Sequence, residues 1–304
     1  MPFILWIRTK KILNIIKPEI IVCYSPSIFF YDFCKNIILK FNCYSYLILR
    51  DMFPFWAFDT KIINNQFLKK YLIKYFLKFL ALFNKIGVEA KFNVSFIKKI
   101  SQQEVVYLPN WITVKKTYAK NKFINNQFIF SGNLGQGQDE KKIFNFFLKL
   151  KKYYHKKNQK FKLTLLGDGS NEKKFAFMSK HKEITFVKKM QYKKFLYFLR
   201  NQNYGIISLK DQIQTVNFPG KLLTYLMTRT MVILLTNKKN ELSRFIDKNK
   251  IGISISDKTN ITKIMKKLKI LELYSKKNQN HFANVLKNNF STNNACNNIL
   301  KYNK

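Results

Sequence analysis

Three segments in the second half of this 304-residue chain place glycine or proline where a strand or loop turns into a helix. Such turns expose main-chain N–H groups, and an anion is what they suit. The first, Ser131-Gly132-Asn133-Leu134-Gly135-Gln136-Gly137-Gln138, follows an apolar run from Phe128 and precedes a helical stretch starting near Asp139. Gly132, Gly135 and Gly137 permit close backbone approach, and the helix beyond them offers free N–H groups and positive potential to a phosphate. A glycine turn after a strand serves structure as often as binding. The second, Gly167-Asp168-Gly169-Ser170, closes the run Leu163 to Leu166, at the strand end where open α/β sheets bind ligands. Taken alone it reads as a tight turn with an Asx interaction. The third is Val216-Asn217-Phe218-Pro219-Gly220-Lys221-Leu222-Leu223-Thr224-Tyr225-Leu226-Met227, in which Lys221 falls in the first turn of an apolar helix. A cation there opposes the helix dipole unless an anion is shared between the lysine and the amide ends.

The elements that must position these turns are short buried strands alternating with helices. In the second half, apolar runs begin at Phe128, Phe161, Ile184, Gly205 and Met231. In the first half, Glu19–Tyr24, Tyr46–Leu49 and Glu104–Leu108 read as buried strands, with helical stretches at about 3–16, 33–41 and 66–85. This alternation predicts parallel, doubly wound sheets. A polar, lysine-rich stretch after Thr113 marks a boundary. The expected organisation is residues 1–115 as a first Rossmann-like domain, 116–126 as linker, 127–285 as a second Rossmann-like domain and 286–304 as a helical tail. With three strands before the linker, the first domain is expected to be truncated at its N-terminal side.

Composition bounds the partners. An apolar fraction of 47% and 30 Phe residues supply two cores. The formal charge of +40 attracts phosphate-bearing substrates and anionic headgroups. A nucleic-acid binder would concentrate charge and stacking aromatics on one module. Here lysines run through every element, and no nucleic-acid partner is expected. Lys70, Lys74 and Lys78 recur every fourth residue among Phe67, Tyr71, Tyr75 and Phe79. That face fits either an anionic membrane surface or a solvated helix packed on its own sheet. Cys23, Cys34, Cys43 and Cys296 lack CxxC spacing, and His155, His181 and His281 are scattered. Neither a structural disulfide, a zinc site nor any other metal or cofactor is expected, and the reducing cytosol fits best. The apolar opening from Met1 is cut by Arg8, Lys10 and Lys11, too short for a signal sequence or a membrane span.

Taken in order, the three turns, with Asn240-Glu241-Leu242 and Ile251-Gly252, resemble the donor-binding domain of family 4 glycosyltransferases, which have the GT-B fold. In the first half, Tyr24-Ser25-Pro26, Leu47-Ile48-Leu49-Arg50-Asp51-Met52-Phe53-Pro54, Lys85-Ile86-Gly87-Val88-Glu89 and Tyr107-Leu108-Pro109-Asn110-Trp111 are similar to bacterial L-fucosaminyltransferases of O-antigen and capsule assembly. The resemblance implies transfer of a sugar, such as an N-acetylated amino sugar, from a UDP-linked donor held between the domains to a lipid-linked saccharide or polysaccharide acceptor. It implies no metal. Donor contacts would come from Gly132, Asn133, Gly135, Gly137, Gln138, Gly167, Asp168, Asn217, Pro219, Gly220, Lys221, Thr224 and Glu241, with Lys221 compensating leaving-group charge. Asp51 would face the acceptor, as base or as an orienting group. The chain departs from its relatives in two places. Val216 and Thr224 stand where many carry a glutamate pair, and Asn133 and Gln138 where Arg or Lys is frequent, so the phosphates would depend on backbone amides and Lys221. The alternatives are an inactive transferase remnant and a basic membrane- or nucleic-acid-binding protein without catalysis. An active enzyme would be cytoplasmic, peripheral on the inner membrane face.

Overall fold

The structure, a computed structural model, describes residues 2–25, 28–113, 126–135, 137–211, 218–237 and 240–301. The chain divides into two compact units, Met1–Asn110 with Gln214–Phe218 and Asn293–Lys304, and Trp111–Ile213 with Pro219–Thr292.

In the first unit, β1 (Ile20–Tyr24), β2 (Tyr44–Leu49), β3 (Lys85–Val88) and β4 (Glu104–Tyr107) form a parallel sheet in that order. The helices are α1 (Pro2–Ile16), α2 (Tyr31–Phe41), α3 (Phe55–Asp59), α4 (Gln66–Leu80) and α5 (Lys91–Ile100). Leu47, Leu49, Ile86, Val88 and Val105 from the strands meet Leu72, Phe76, Phe79 and Leu80 of α4 in one core. The apolar spacing of α4 explains this, since 72, 76, 79 and 80 share a face, and Asn65 caps the helix by accepting from the Leu68 N–H at 3.0 Å. Lys70, Lys74 and Lys78 point away from the core and are exposed.

The sheet corrects two sequence expectations. It has four strands among the described residues, not three, and α4 ends at Leu80 instead of continuing to Lys85. A tertiary contact overrides the helical pattern there. The Asn84 side chain accepts from the Ser45 N–H (2.9 Å) and hydroxyl (2.8 Å), drawing the chain beside β2. Gly87 lets β3 fit, because a Cβ there would overlap the Tyr46 hydroxyl and Leu108. The cysteines are free thiols, yet Cys34 on α2 donates to the Cys23 sulfur on β1 at 3.6 Å, a proximity their spacing did not suggest.

The second unit contains β5 (Gln127–Asn133), β6 (Lys162–Asp168), β7 (Ile184–Val187), β8 (Tyr204–Ser208), β9 (Met231–Leu235) and β10 (Gly252–Ile255). Its helices are α6 (Glu140–Lys156), α7 (Glu172–Met178), α8 (Tyr192–Leu199), α9 (Gly220–Met227), α10 (Glu241–Lys248), α11 (Ile261–Lys277) and α12 (His281–Phe290); α13 (Thr292–Leu300) follows. All six strands are parallel in the order β10-β9-β8-β5-β6-β7. This is the doubly wound order in which the chain reverses direction between the first and fourth strands, here β5 and β8. β10 was not foreseen, since four residues bounded by a glycine carry little periodic signal. The core strands are fully buried, Phe128, Phe130, Leu163, Leu165, Ile206 and Val232 being almost without exposure.

Candidate functional site

In doubly wound sheets ligands bind beyond the carboxyl ends of the strands, at the switch point. The glycine turns meet there. β5 and β6 run in register to Gly132 opposite Gly167 and Asn133 opposite Asp168. Gly132 has φ +121°, Gly167 φ +151° and Gly169 φ +146°, values that L side chains rarely adopt. The two turns are tied together, the Leu134 N–H donating to the Asp168 carbonyl at 2.7 Å and the Asn171 N–H to the Leu134 carbonyl at 2.9 Å. The Asn133 side chain lies over Gly135 and Gly169.

Lys221 reaches this turn from α9. Its Cε and Nζ lie 3.3 and 3.5 Å from where a Cβ on Gly132 would stand. The amine sits 4.1 Å from the centroid of the Phe130 ring and donates to Gln138 Oε1 at 3.3 Å. Among the described residues no carboxylate is within 4.0 Å of it. Burial alone pushes its pKa from an ordinary 10.5 down to about 7. Lys142, a buried lysine of the same unit, differs in kind. It is neutralised by Asp211 at 2.7 Å and Asp139 at 3.7 Å, as a structural cation should be. Lys221 is therefore a half-buried lysine, with no carboxylate partner among the described residues, beside a glycine turn.

Two helix ends flank the turn, and they are not equivalent. The sequence suggested that the helix after Gly137 would present free amides, but Asp139 caps α6, accepting from the Lys142 N–H at 3.1 Å. Glu140 adds a second carboxylate in that first turn. Both carboxylates are paired, Asp139 with Lys142 at 3.7 Å and Glu140 with Lys174 at 3.2 Å, and the cap takes up one of the free amides of that end. At α9 the N-cap is Pro219, and among the described residues no side chain caps the helix and no atom lies within 4 Å of where a Cβ on Gly220 would stand.

The remaining donor-side candidates are placed as follows. Gly135, Gly137 and Gln138 lie on the turn between β5 and α6. Asp168 ends β6, exposed, with Lys189 3.6 Å away. The Thr224 hydroxyl is spent on the Lys221 carbonyl at 2.9 Å. Glu241 opens α10, which Asn240 and Ser243 cap reciprocally. Asn217 lies outside the described residues. No group of three or more His, Cys, Asp or Glu that could hold a metal occurs among the described residues.

In the first unit, Asp51 stands just past β2, half-buried. Burial pushes its carboxyl above the usual carboxylate range, opposed by hydrogen bonds from the Trp56 indole and the Phe53 N–H. Glu89, which the sequence offers only as the end of a motif with no role of its own, lies in the same unit. This carboxyl group is 4% exposed, one residue past β3, and faces Arg50. Its signal was positional: a charged residue directly after a buried strand.

No protein-family model matches the chain, and no curated protein sequence matches it. Solved structures do. Sucrose-phosphate synthase from Thermosynechococcus elongatus aligns with a TM-score of 0.69 at 9% identity, over 94% of this chain and 73% of that one. TarM aligns at 0.62 and 15% identity, over 95% of this chain and 56% of TarM. HepE from Anabaena, in complex with UDP and glucose, aligns at 0.63 and 8% identity, over 96% and 79% of the two chains. The chain thus spans a little over half the length of TarM. At such identities the likeness shows the fold, two parallel α/β sheets of the GT-B kind.

Proposed function

We propose that this chain is a glycosyltransferase that takes a sugar from a UDP-linked donor and passes it to a lipid-linked saccharide or polysaccharide in surface-glycan assembly. The observation that carries this reading is Lys221, a half-buried lysine with no carboxylate partner among the described residues, set between a positive-φ glycine turn and a helix end that no described side chain caps, at the switch point. Such a site is completed by an anion, and a diphosphate leaving group satisfies both the amine and the free N–H groups. The solved structures support the choice of nucleotide, since HepE was captured with UDP-glucose and TarM of S. aureus with UDP.

The first-half motifs favour an N-acetylated amino sugar such as N-acetyl-L-fucosamine, transferred without a metal ion. Asp51 is the group proposed to face the acceptor hydroxyl. The test is mass spectrometry of products after offering a panel of UDP-sugars with an undecaprenyl-diphosphate-linked acceptor. A mass gain of one sugar is expected. Failure to bind UDP at any concentration would overturn the reading.

A lipid-linked acceptor requires a membrane-facing surface, and we assign it to α4, on the cytoplasmic side. No helix among the described residues is long and apolar enough to cross a membrane. The outer face of α4 instead combines Lys70, Lys74 and Lys78 with Phe67, 85% exposed, and Tyr71, 63% exposed. Aromatics that seat at the headgroup level beside lysines suit an anionic interface. Each lysine contributes about 1 kcal/mol near such a surface. Lys70→Glu/Lys74→Glu/Lys78→Glu should therefore release the protein from anionic vesicles in sedimentation at low salt. Equal sedimentation of variant and wild type would reduce the stripe to a solvated face.

A further inference from the structure

The parallel register of the first unit sets three residues side by side where its sheet ends. Leu49 pairs with Val88 and Val88 with Tyr107, so Arg50, Glu89 and Leu108 form the next row. The Leu108 N–H extends the ladder, donating to the Val88 carbonyl at 2.8 Å. Arg50 spans this row. Its Nη1 donates to the Leu108 carbonyl and its Nη2 to the Pro109 carbonyl, each at 3.3 Å, while Nη1 lies 3.9 Å from Glu89 Oε2. Both side chains are nearly excluded from water, 10% and 5% exposed. Glu89 Oε1 is buried with no hydrogen-bond partner, and the Asn110 side chain bonds to the same carboxylate. Asp51, the proposed acceptor-side group, is the residue after Arg50.

A buried guanidinium that grips two carbonyls of one strand end and precedes the reactive residue on another fixes the geometry of both. It stays in place only while its charge is balanced. We propose that Glu89 is a positioning residue: its carboxylate holds Arg50 across the ends of β2, β3 and β4, and Arg50 in turn fixes Asp51 and the Leu108–Asn110 turn. This rests on the reading of Asp51 given above, although the linkage itself can be observed without any substrate.

Protonation of Glu89 is the natural release. Burial pushes this carboxyl up to about 7, against the pull of Arg50 and Asn110. The other groups that bear on the pair are Tyr24 of β1, hydrogen-bonded with Arg50, and Tyr46 of β2. Lys91, at the start of α5, turns to the Tyr107 ring, 5.8 Å from its centroid. Below neutrality the neutral acid leaves Arg50 uncompensated, so the row loosens as the pH falls.

Trp56 reports on this directly, because its indole bonds to Asp51. The chain has three tryptophans, and Trp6→Phe/Trp111→Phe leaves Trp56 as sole emitter. Its fluorescence should titrate with a midpoint near the Glu89 value of about 7, and Glu89→Gln should abolish that transition. Because Glu89→Gln leaves a buried Arg50 unbalanced and can unfold the unit, Arg50→Met/Glu89→Leu removes both charges together. That double variant should fold, keep wild-type affinity for UDP and lose roughly a hundredfold in kcat, the effect expected of a reacting group misplaced by about 1 Å. A pH-independent Trp56 signal, a transition that survives Glu89→Gln, or a double variant with wild-type kcat would overturn the proposal. Absence of UDP binding in the wild type would instead defeat the transferase reading and leave the fluorescence result standing.

Discussion

Lys221→Met should lower affinity for UDP by roughly ten- to a hundredfold, the weight of a charge-assisted contact of ~1.5–3 kcal/mol, while leaving the ligand-free protein as stable as before or more so. The two halves of this expectation have one cause. Without a bound anion, the amine has a neutral partner in Gln138 and no carboxylate among the described residues, and desolvation pushes it down to about 7 from 10.5. Below pH 7 the folded chain carries the cost of a partly desolvated charge. Between 7 and 10.5 the unfolded chain binds a proton that the folded chain does not, so stability rises with pH across that window. Methionine keeps the length and the contact with Phe130 and removes the titration. The melting temperature of the variant should therefore lose this pH dependence. UDP reverses the situation, since its phosphates favour the charged amine. Binding should take up a proton above pH 7, and wild-type affinity should decline by up to tenfold per pH unit, whereas that of the variant stays flat. Calorimetry in buffers of different ionisation enthalpy measures the proton directly. If the variant melts lower and binds UDP as the wild type does, Lys221 is a packing residue.

The parts of this site that were legible in the sequence are those whose constraint is local. A positive-φ turn shows itself as glycine at Gly132, Gly167 and Gly169, and a helix start that opposes its own dipole shows itself as Lys221 behind Pro219-Gly220. The doubly wound order followed from buried apolar runs alternating with helices. Two further local signals were present and were given too little weight. Asp139 before Glu140 is a helix-cap signal, and the cap takes up one of the amides at the end of α6. Asn84-Lys85 interrupts the pattern of α4, and the four-residue strand that begins at Lys85 is too short to show a period of its own. Glu89 belongs to another class. Its burial comes from strand ends separated by tens of residues, from Arg50 to Leu108, and only the register of β2, β3 and β4 brings them into one row. A single chain read in order does not display that row.

The glycines of the donor turn invite a paired experiment that separates architecture from ligand space. Gly167→Ala should destabilise the second unit by about 3 kcal/mol or more, combining backbone strain at an unfavourable φ with overpacking, each worth ~1–3 kcal/mol. At φ +151° an added Cβ would overlap the Gly132 carbonyl oxygen, and that oxygen belongs to the neighbouring strand in register. The overlapping atom is backbone, which cannot move aside as the end of a side chain can. Urea unfolding should show a lower midpoint with an unchanged slope. Gly220→Ala is the counterpart. A Cβ at that position meets no atom of the described residues within 4 Å, and alanine at a helix start is favoured over glycine by up to ~1 kcal/mol. This variant should be at least as stable as the wild type. Its methyl group, however, enters the space at the end of α9 that no described side chain caps, which in the proposed function holds the diphosphate. UDP affinity should then fall severalfold although folding is intact, an outcome that a purely structural glycine does not produce. Wild-type stability in Gly167→Ala would mean that the two strand ends are not locked together as described. Wild-type UDP affinity in Gly220→Ala would move the phosphates away from α9 and return Lys221 to the role of a half-buried but idle amine.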